Sequence, residues 1–265
     1  MKTSILSNKL LKGLLALVFW TAVWYLAAAL INKELFLPYP HIVVKRFAFL
    51  LVKPFFLKTV FVSLARILAG FCLGVFLGFG LAFFTHYFAA AKAIVSPAIR
   101  VIRATPVVSF ILLAYLWLNN DSIPVFIAVL MVAPIIWQNI SAGLSNLDGG
   151  LLEMAKLFKL SPAKIFRRII LPQLKPHFYS GCMTSLGLAW KSGIAAEVIS
   201  YPKTAIGREM NDARMLLETT DVLVFTVTVI ILSLAFEGVF KLIFEKSASS
   251  KIIKRRFLKK GGESK

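Results

Sequence analysis

Apolar residues in this chain come in long unbroken runs rather than in alternation. Six runs, at roughly 13–31, 57–84, 94–118, 122–142, 177–199 and 221–244, approach or exceed the ~20 residues that a helix needs to cross ~30 Å of hydrocarbon. A backbone crossing lipid must satisfy its own hydrogen bonds, which leaves helices or closed barrels. Runs this long without a two-residue period are not barrel strands. The pattern predicts an all-α polytopic membrane protein with six transmembrane helices.

The segments between the runs are patterned too. Leu37-Pro38-Tyr39-Pro40 interrupts any helix, because proline lacks a donor and restrains the residue before it. Residues 41–55 then predict a short interfacial helix ended by Pro54. Gly70, Gly74 and Gly78 recur every four residues, a ridge on one helix face that lets another backbone approach, and Gly80 lies off it. Pro106 predicts a kink in the third run and Asn119-Asn120-Asp121-Ser122 an outer turn, and Pro134 sits within the fourth run. A short helix is expected from about Ile206 to Leu217. The organisation that follows has three parts. An N-terminal span and interfacial segment occupy 1–57, a core of five spans occupies 58–245, and a basic tail occupies 246–265.

Composition supports the membrane class: 58% of the 265 residues are hydrophobic, and mean hydropathy is +0.80. The net charge of +19 would suggest nucleic acid in a soluble chain. Here it follows topology, and no nucleic-acid partner is expected. With the N-terminus inside, the largest basic clusters fall in cytoplasmic segments, six residues within 156–175 and nine within 241–265. Both termini are therefore expected in the cytoplasm of a bacterial cell, with the protein in its cytoplasmic membrane. The tail Lys251–Lys260 reads as lying on anionic lipid or as simply solvated. Residues 1–29 also carry the elements of a signal peptide, ending in Ala27-Ala28-Ala29, but inside-N orientation favours a retained anchor. The two cysteines and three histidines show no metal or redox spacing.

Ionisable residues inside spans are the remaining chemical signal. Arg100 and Arg103 stand one turn apart near the cytoplasmic end of the third run, either as lipid-surface anchors or, with Pro106, on a transport path. Trp190, Lys191 and Glu197 mark the fifth run as a second candidate for that path. Lys191 and Glu197 are six residues apart and do not share a helix face, so each needs another partner.

The largest inner loop, 148–176, is amphipathic. Leu151 to Leu160 predict a short helix with Glu153, Lys156 and Lys159 among apolar residues. Ser161-Pro162 reads as an N-cap with proline at the first helical position, and a second helix over 162–170 is expected to end at Leu171-Pro172. Such a hairpin suits a groove on another protein, and the alternative is a loop folded on its own membrane surface.

This stretch resembles the signature loop of type I ABC importer permeases: Glu-Ala-Ala, three residues, Gly, nine residues, Ile, one residue, Leu-Pro. Glu153, Ala155, Ile169, Leu171 and Pro172 match at that spacing, Met154 replaces the first alanine, and Lys159 replaces the glycine. With Lys159 there, the turn is expected either to use residues in ordinary dihedrals or to present Lys159 to the partner. Ser63-Leu64-x-Arg66-x-x-x-Gly70, Arg103-x-x-Pro106, Leu37-Pro-x-Pro40 and Trp190-x6-Glu197 resemble the nitrate/sulfonate/taurine branch, over about residues 35–245. The resemblance implies a homodimer of permease subunits, two cytoplasmic ABC ATPases that carry ATP and magnesium, and an external substrate-binding protein. It maps the ATPase-coupling helix onto Leu152, Glu153, Met154, Ala155, Lys156, Phe158, Lys159, Leu160, Ser161 and Pro162, with Ile169, Leu171 and Pro172 as structure of the loop. It suggests a small anion as substrate, while the same branch includes importers of thiamine-precursor pyrimidines and other heteroaromatics.

No Gly-x4-Gly-Lys-Ser/Thr occurs in the chain, so it has no phosphate-cradling loop of that kind, and no enzyme activity or bound cofactor is expected of it. A secondary transporter would more often carry paired intramembrane carboxylates or an inverted repeat. A membrane protease would need a nucleophile–base set or paired aspartates within spans. Neither pattern is evident here.

Overall fold

The computed structural model describes residues 2–260, with side chains described for 11–244. Among these residues it is helical throughout, without strands. The helices are α1 (Lys2–Ile31), α2 (Pro40–Leu51), α3 (Pro54–Tyr87), α4 (Ala89–Ala104), α5 (Val107–Ala114), α6 (Ile123–Ser145), α7 (Gly149–Leu157), α8 (Pro162–Ile165), α9 (Leu171–Ser200), α10 (Ile206–Met215) and α11 (Thr219–Lys260). A π-helical turn, Phe166–Ile170, joins α8 to α9. The side chains of the expected basic tail lie outside the described residues.

Segments of α1, α3, α6 and α11 are long and apolar enough to cross a membrane. The third expected span is split: α4 and α5 meet at 101° across Thr105 and Pro106, a much sharper break than a kink. Pro106 has no N–H to continue α4, and it disfavours helical dihedrals at Thr105, whose ψ is 135°. The fifth expected span is α9, 30 residues long but less apolar than the other four. Burial explains that composition. Ser185, Ser192, Glu197 and Ser200 are buried against neighbouring helices rather than exposed to lipid.

Two prolines act differently from expectation. The interfacial helix ends at Leu51, and Pro54 opens α3 instead of closing α2. Proline is suited to the first turn, where its missing N–H would be unpaired anyway. Pro172 likewise lies at the start of α9, and the helical run continues from Pro162 to Ser200. The π turn supplies the extra room. Leu171 N–H reaches back to the carbonyl of Phe166, five residues earlier, so the turn before the proline ring is widened.

The core is built on α3, α6 and α9. Half of the apolar window of α6 is buried, against 17% for α11 and 6% for α1, so α6 is central and α1 peripheral. The glycine ridge explains the closeness of α3 and α6. A Cβ at Gly70 would lie 2.6 Å from the Ala128 Cβ, at Gly74 2.7 Å from the Val132 Cβ, and at Gly78 2.5 Å from the Ala133 carbonyl oxygen. A Cβ at Gly80 would meet nothing within 4 Å. α1 is joined to the body through Trp24 Nε1, which donates to the Pro38 carbonyl, and through the stacking of Tyr25 on His41. α2 is joined to α11 by Arg46, whose Nε and Nη2 donate to the two Asp221 oxygens at 2.6 and 2.7 Å.

Candidate functional site

Two regions, at opposite ends of α9, carry most of the chemistry. The first is the 148–172 hairpin. Asp148 caps α7, its Oδ1 accepting from Gly150 N–H at 2.9 Å and Leu151 N–H at 3.3 Å. Gln173, at the start of α9, accepts from Asp148 N–H at 3.0 Å and donates to the Ile169 carbonyl at 3.2 Å, closing the base of the hairpin. Ala155 is fully buried beneath α7, while Leu152 is half-buried. Phe166 lies edge-on to Phe83 of α3, with centroids 5.8 Å apart.

The tip of this hairpin is apolar and, among the described residues, uncovered. Leu157 is 82% exposed and Phe158 73%, with Met154 exposed beside them. Glu153, Lys156, Lys159, Ser161 and Pro162 are also exposed, and Leu160 is half-buried.

Lys159 corrects the expected turn. It adopts φ 49°, the left-handed conformation that glycine takes without cost. Leu160 N–H reaches the Ala155 carbonyl and Lys159 N–H the Lys156 carbonyl, the paired bonds of a Schellman cap. The turn is therefore made by Lys159 itself, in a conformation that favours glycine. Leu217 repeats the arrangement after α10, at φ 60°.

The second region sits at the other end of α9. Glu197 is fully buried. Its Oε1 accepts from Arg66 Nη1 of α3 at 2.7 Å, and its Oε2 accepts from Ser63 Oγ at 2.8 Å and Gly207 N–H at 3.2 Å. Ser63 Oγ in turn accepts from Ile206 N–H at 2.8 Å. The first N–H groups of α10, which have no partner within their own helix, are thus satisfied by side chains from α3 and α9. Arg66 also donates to the Thr204 carbonyl and to Asp121, both at 3.3 Å, and Asp121 accepts from Lys203 N–H. A Cβ at Gly207 would lie 2.5 Å from the Cβ of Glu197, so only glycine lets α10 approach this closely. Nearby, Glu209 is held above the usual carboxylate range by burial first and by the Asp212 carboxylate second.

The candidate path residues separate. Trp190 is buried and donates from Nε1 to the Val229 carbonyl of α11 at 3.0 Å. Glu197 belongs to the network just described. Both face the packing of this subunit rather than an open surface, because each finds its polar partner on another helix. Arg103, Pro106 and Lys191 are exposed. Arg103 donates to Gln138 of α6 beside a recess at the α4–α5 break. Gln138, Asn139 and Thr184 share that recess and were not candidates in sequence, where single polar residues within apolar helices give no pattern. Among the described residues, no three His, Cys, Asp or Glu side chains form a metal site.

The family profile of the binding-protein-dependent transport system inner membrane component matches residues 70–247. The chain is 30% identical over 213 residues to a protein of Brucella melitensis named as an ABC transporter permease, covering 80% of this chain and 85% of that one. It is 31% identical over 206 residues to a protein of Escherichia coli named as an aliphatic sulfonates transport permease, covering 77% and 78%. A nitrate import permease protein of Leptolyngbya laminosa is 26% identical over 141 residues, 52% of this chain and 50% of that one. The fold is also that of a solved amino acid ABC transporter, with TM-score 0.62 at 18% identity over 75% of this chain and 97% of the other. Profile, relatives and fold agree, and the chain belongs to the binding-protein-dependent transport system inner membrane components, the permease subunits of ABC importers.

Proposed function

We propose that this chain forms the substrate path of an ATP-driven importer for a small oxyanion, with the 148–172 hairpin as the cytoplasmic seat of a partner ATPase. The observation that carries the coupling role is the apolar tip of the hairpin, Leu157 and Phe158, raised on a capped helix whose base is tied to α9. A short apolar helix of this kind fits a groove on another protein. Two ATPases would serve a pair of these permeases, bind ATP and magnesium, and move the two hairpins as they close. Each hairpin is continuous with α9, so that movement passes into the span itself, and the bundles rock between inward and outward access.

The second end of the molecule then faces outward, where a substrate-binding protein would deliver its cargo. The substrate class rests on the relatives named for sulfonate and nitrate transport. The test is reconstitution with the ATPase and binding protein into liposomes. ATP-dependent uptake of a sulfonate or nitrate is expected, with the ATPase lost from the purified complex when Leu157 and Phe158 are both changed to Asp. Retention of ATPase and uptake in that variant would defeat the coupling role, and failure of the wild-type complex to move any oxyanion would defeat the substrate class.

A further inference from the structure

At the 101° break between α4 and α5 the bundle holds a recess of about 530 Å³. Its polar wall consists of Arg103, Thr105, Gln138, Asn139 and Thr184, from three different helices and the break itself. Among the described residues the remaining wall is apolar, and no aspartate or glutamate lines it. This sets Arg103 apart from Arg46, Arg66 and Arg208, each of which pairs with a carboxylate, whereas among the described residues no carboxylate pairs with Arg103. Its Nη1 is held instead by the neutral Gln138 Oε1. Asn139 and Thr105 turn donors onto the Ile135 and Val101 carbonyls, at 2.9 and 2.8 Å, which fixes their side chains along the wall.

We propose that this recess is a seat for one monovalent oxyanion headgroup, with Arg103 as its charged anchor. A guanidinium offers parallel N–H donors that match two oxygens of a sulfonate, nitrate or hydrogencarbonate. The Gln138 amide is the stand-in acceptor that the anion displaces, and turning it presents its NH2 to a third oxygen. The volume lies within the range of small-ligand pockets, roughly 300–1,000 Å³, and leaves space for a short organic tail or for water. The recess lies where α4 turns into α5, with Arg103 and Thr105 before the turn and Val107 after it in its wall.

This seat rests on the importer reading and names where its cargo stops. A lipid phosphate shares the same chemistry, so the test separates the two sources. The permease–ATPase complex in phosphatidylcholine nanodiscs is titrated calorimetrically with methanesulfonate, nitrate and hydrogencarbonate. At least one is expected to bind, with affinity reduced roughly 10-fold or more in Arg103→Gln, as for loss of one charge-assisted hydrogen-bond pair. Arg103→Lys should lose less, because it keeps the charge without the fork. Arg100→Gln, one turn away and outside the recess, should bind as wild type. In liposomes with the binding protein, Arg103→Gln should raise the KM for uptake by the same factor.

Equal affinity and equal KM in wild type and Arg103→Gln would overturn the seat while leaving the importer reading intact. Absence of any oxyanion transport by the wild type would overturn that reading instead. Binding of phosphatidylglycerol at Arg103, with no binding of the free anions in its absence, would assign the recess to lipid and overturn the seat.

Discussion

The two ends of α9 are finished to different degrees. At one end Glu197 is fully buried and every oxygen has a donor from α3 or α10. At the other end, the hairpin tip holds Leu157 and Phe158 in the open. At the first end every partner of Glu197 lies within the subunit, so that network stabilises the subunit itself. The second has satisfied its backbone, through the Asp148 cap and the Schellman turn, and left its side chains without cover. A region that is ordered in backbone and unfinished in side chains is ready to bind without first folding, which lowers the entropy cost of docking.

Five substitutions press on this contrast, four in decreasing order of expected effect and Gly80→Ala as a control for Gly78→Ala. Arg66→Ala leaves Glu197 buried without its counter-ion and should cost about 3–5 kcal/mol, as when one partner of a buried pair is removed. Thermal unfolding in detergent reads it, and an unchanged midpoint would mean that the network does not hold the helices together. Phe158→Asp should leave that midpoint unmoved yet weaken ATPase association by about 2 kcal/mol or more, the range of an interface hot spot. A matching fall in stability would erase the distinction between the two ends. Gly78→Ala probes the bundle between them. Its new Cβ would press on the Ala133 carbonyl and cost about 1–3 kcal/mol. Gly80→Ala, facing open space, should stay within about 0.5 kcal/mol, and equal effects at both positions would deny the ridge its role. Lys159→Gly should raise stability by about 1 kcal/mol, because it relieves a left-handed lysine. A loss of stability would show that the lysine side chain holds the turn.

The helix ridge and the hairpin were legible because both are periodic. Glycines four apart must share a face, and the apolar repeat from Leu151 placed the first hairpin helix; Ser161 stands at the N-cap position of α8 as read but its hydroxyl makes no capping bond, while the Asp148 cap was not read. The network around Glu197 was not legible as a unit. Ser63, Arg66 and Glu197 each stood out, but the Ser63–Glu197 bond spans 134 positions, and no local rule joins them. Prolines were misread at Pro54 and Pro172 for a common reason: a proline marks a helix boundary without saying on which side the helix lies. Lys159 was recognised as a departure from glycine with two readings open, and its left-handed φ removes the one in which the turn uses only ordinary dihedrals. Sequence shows which residue occupies a turn, whereas the hydrogen bonds to Ala155 and Lys156 determine what that residue must tolerate.

The uninterrupted helical run from Pro162 to Ser200 has a mechanical consequence. At 1.5 Å per residue it is roughly 55–60 Å long, enough to reach from the hairpin past the full thickness of the hydrocarbon. A strut of that length converts a small tilt at its base into a larger sideways sweep at its far tip, and that tip holds Glu197 beneath α10. Its irregular points, the π turn at Phe166–Ile170 and Pro176 inside α9, both lie toward the base. Flexing there would leave the rest of the strut stiff, so displacement at Phe158 would arrive at α10 as leverage and not as a succession of local rearrangements.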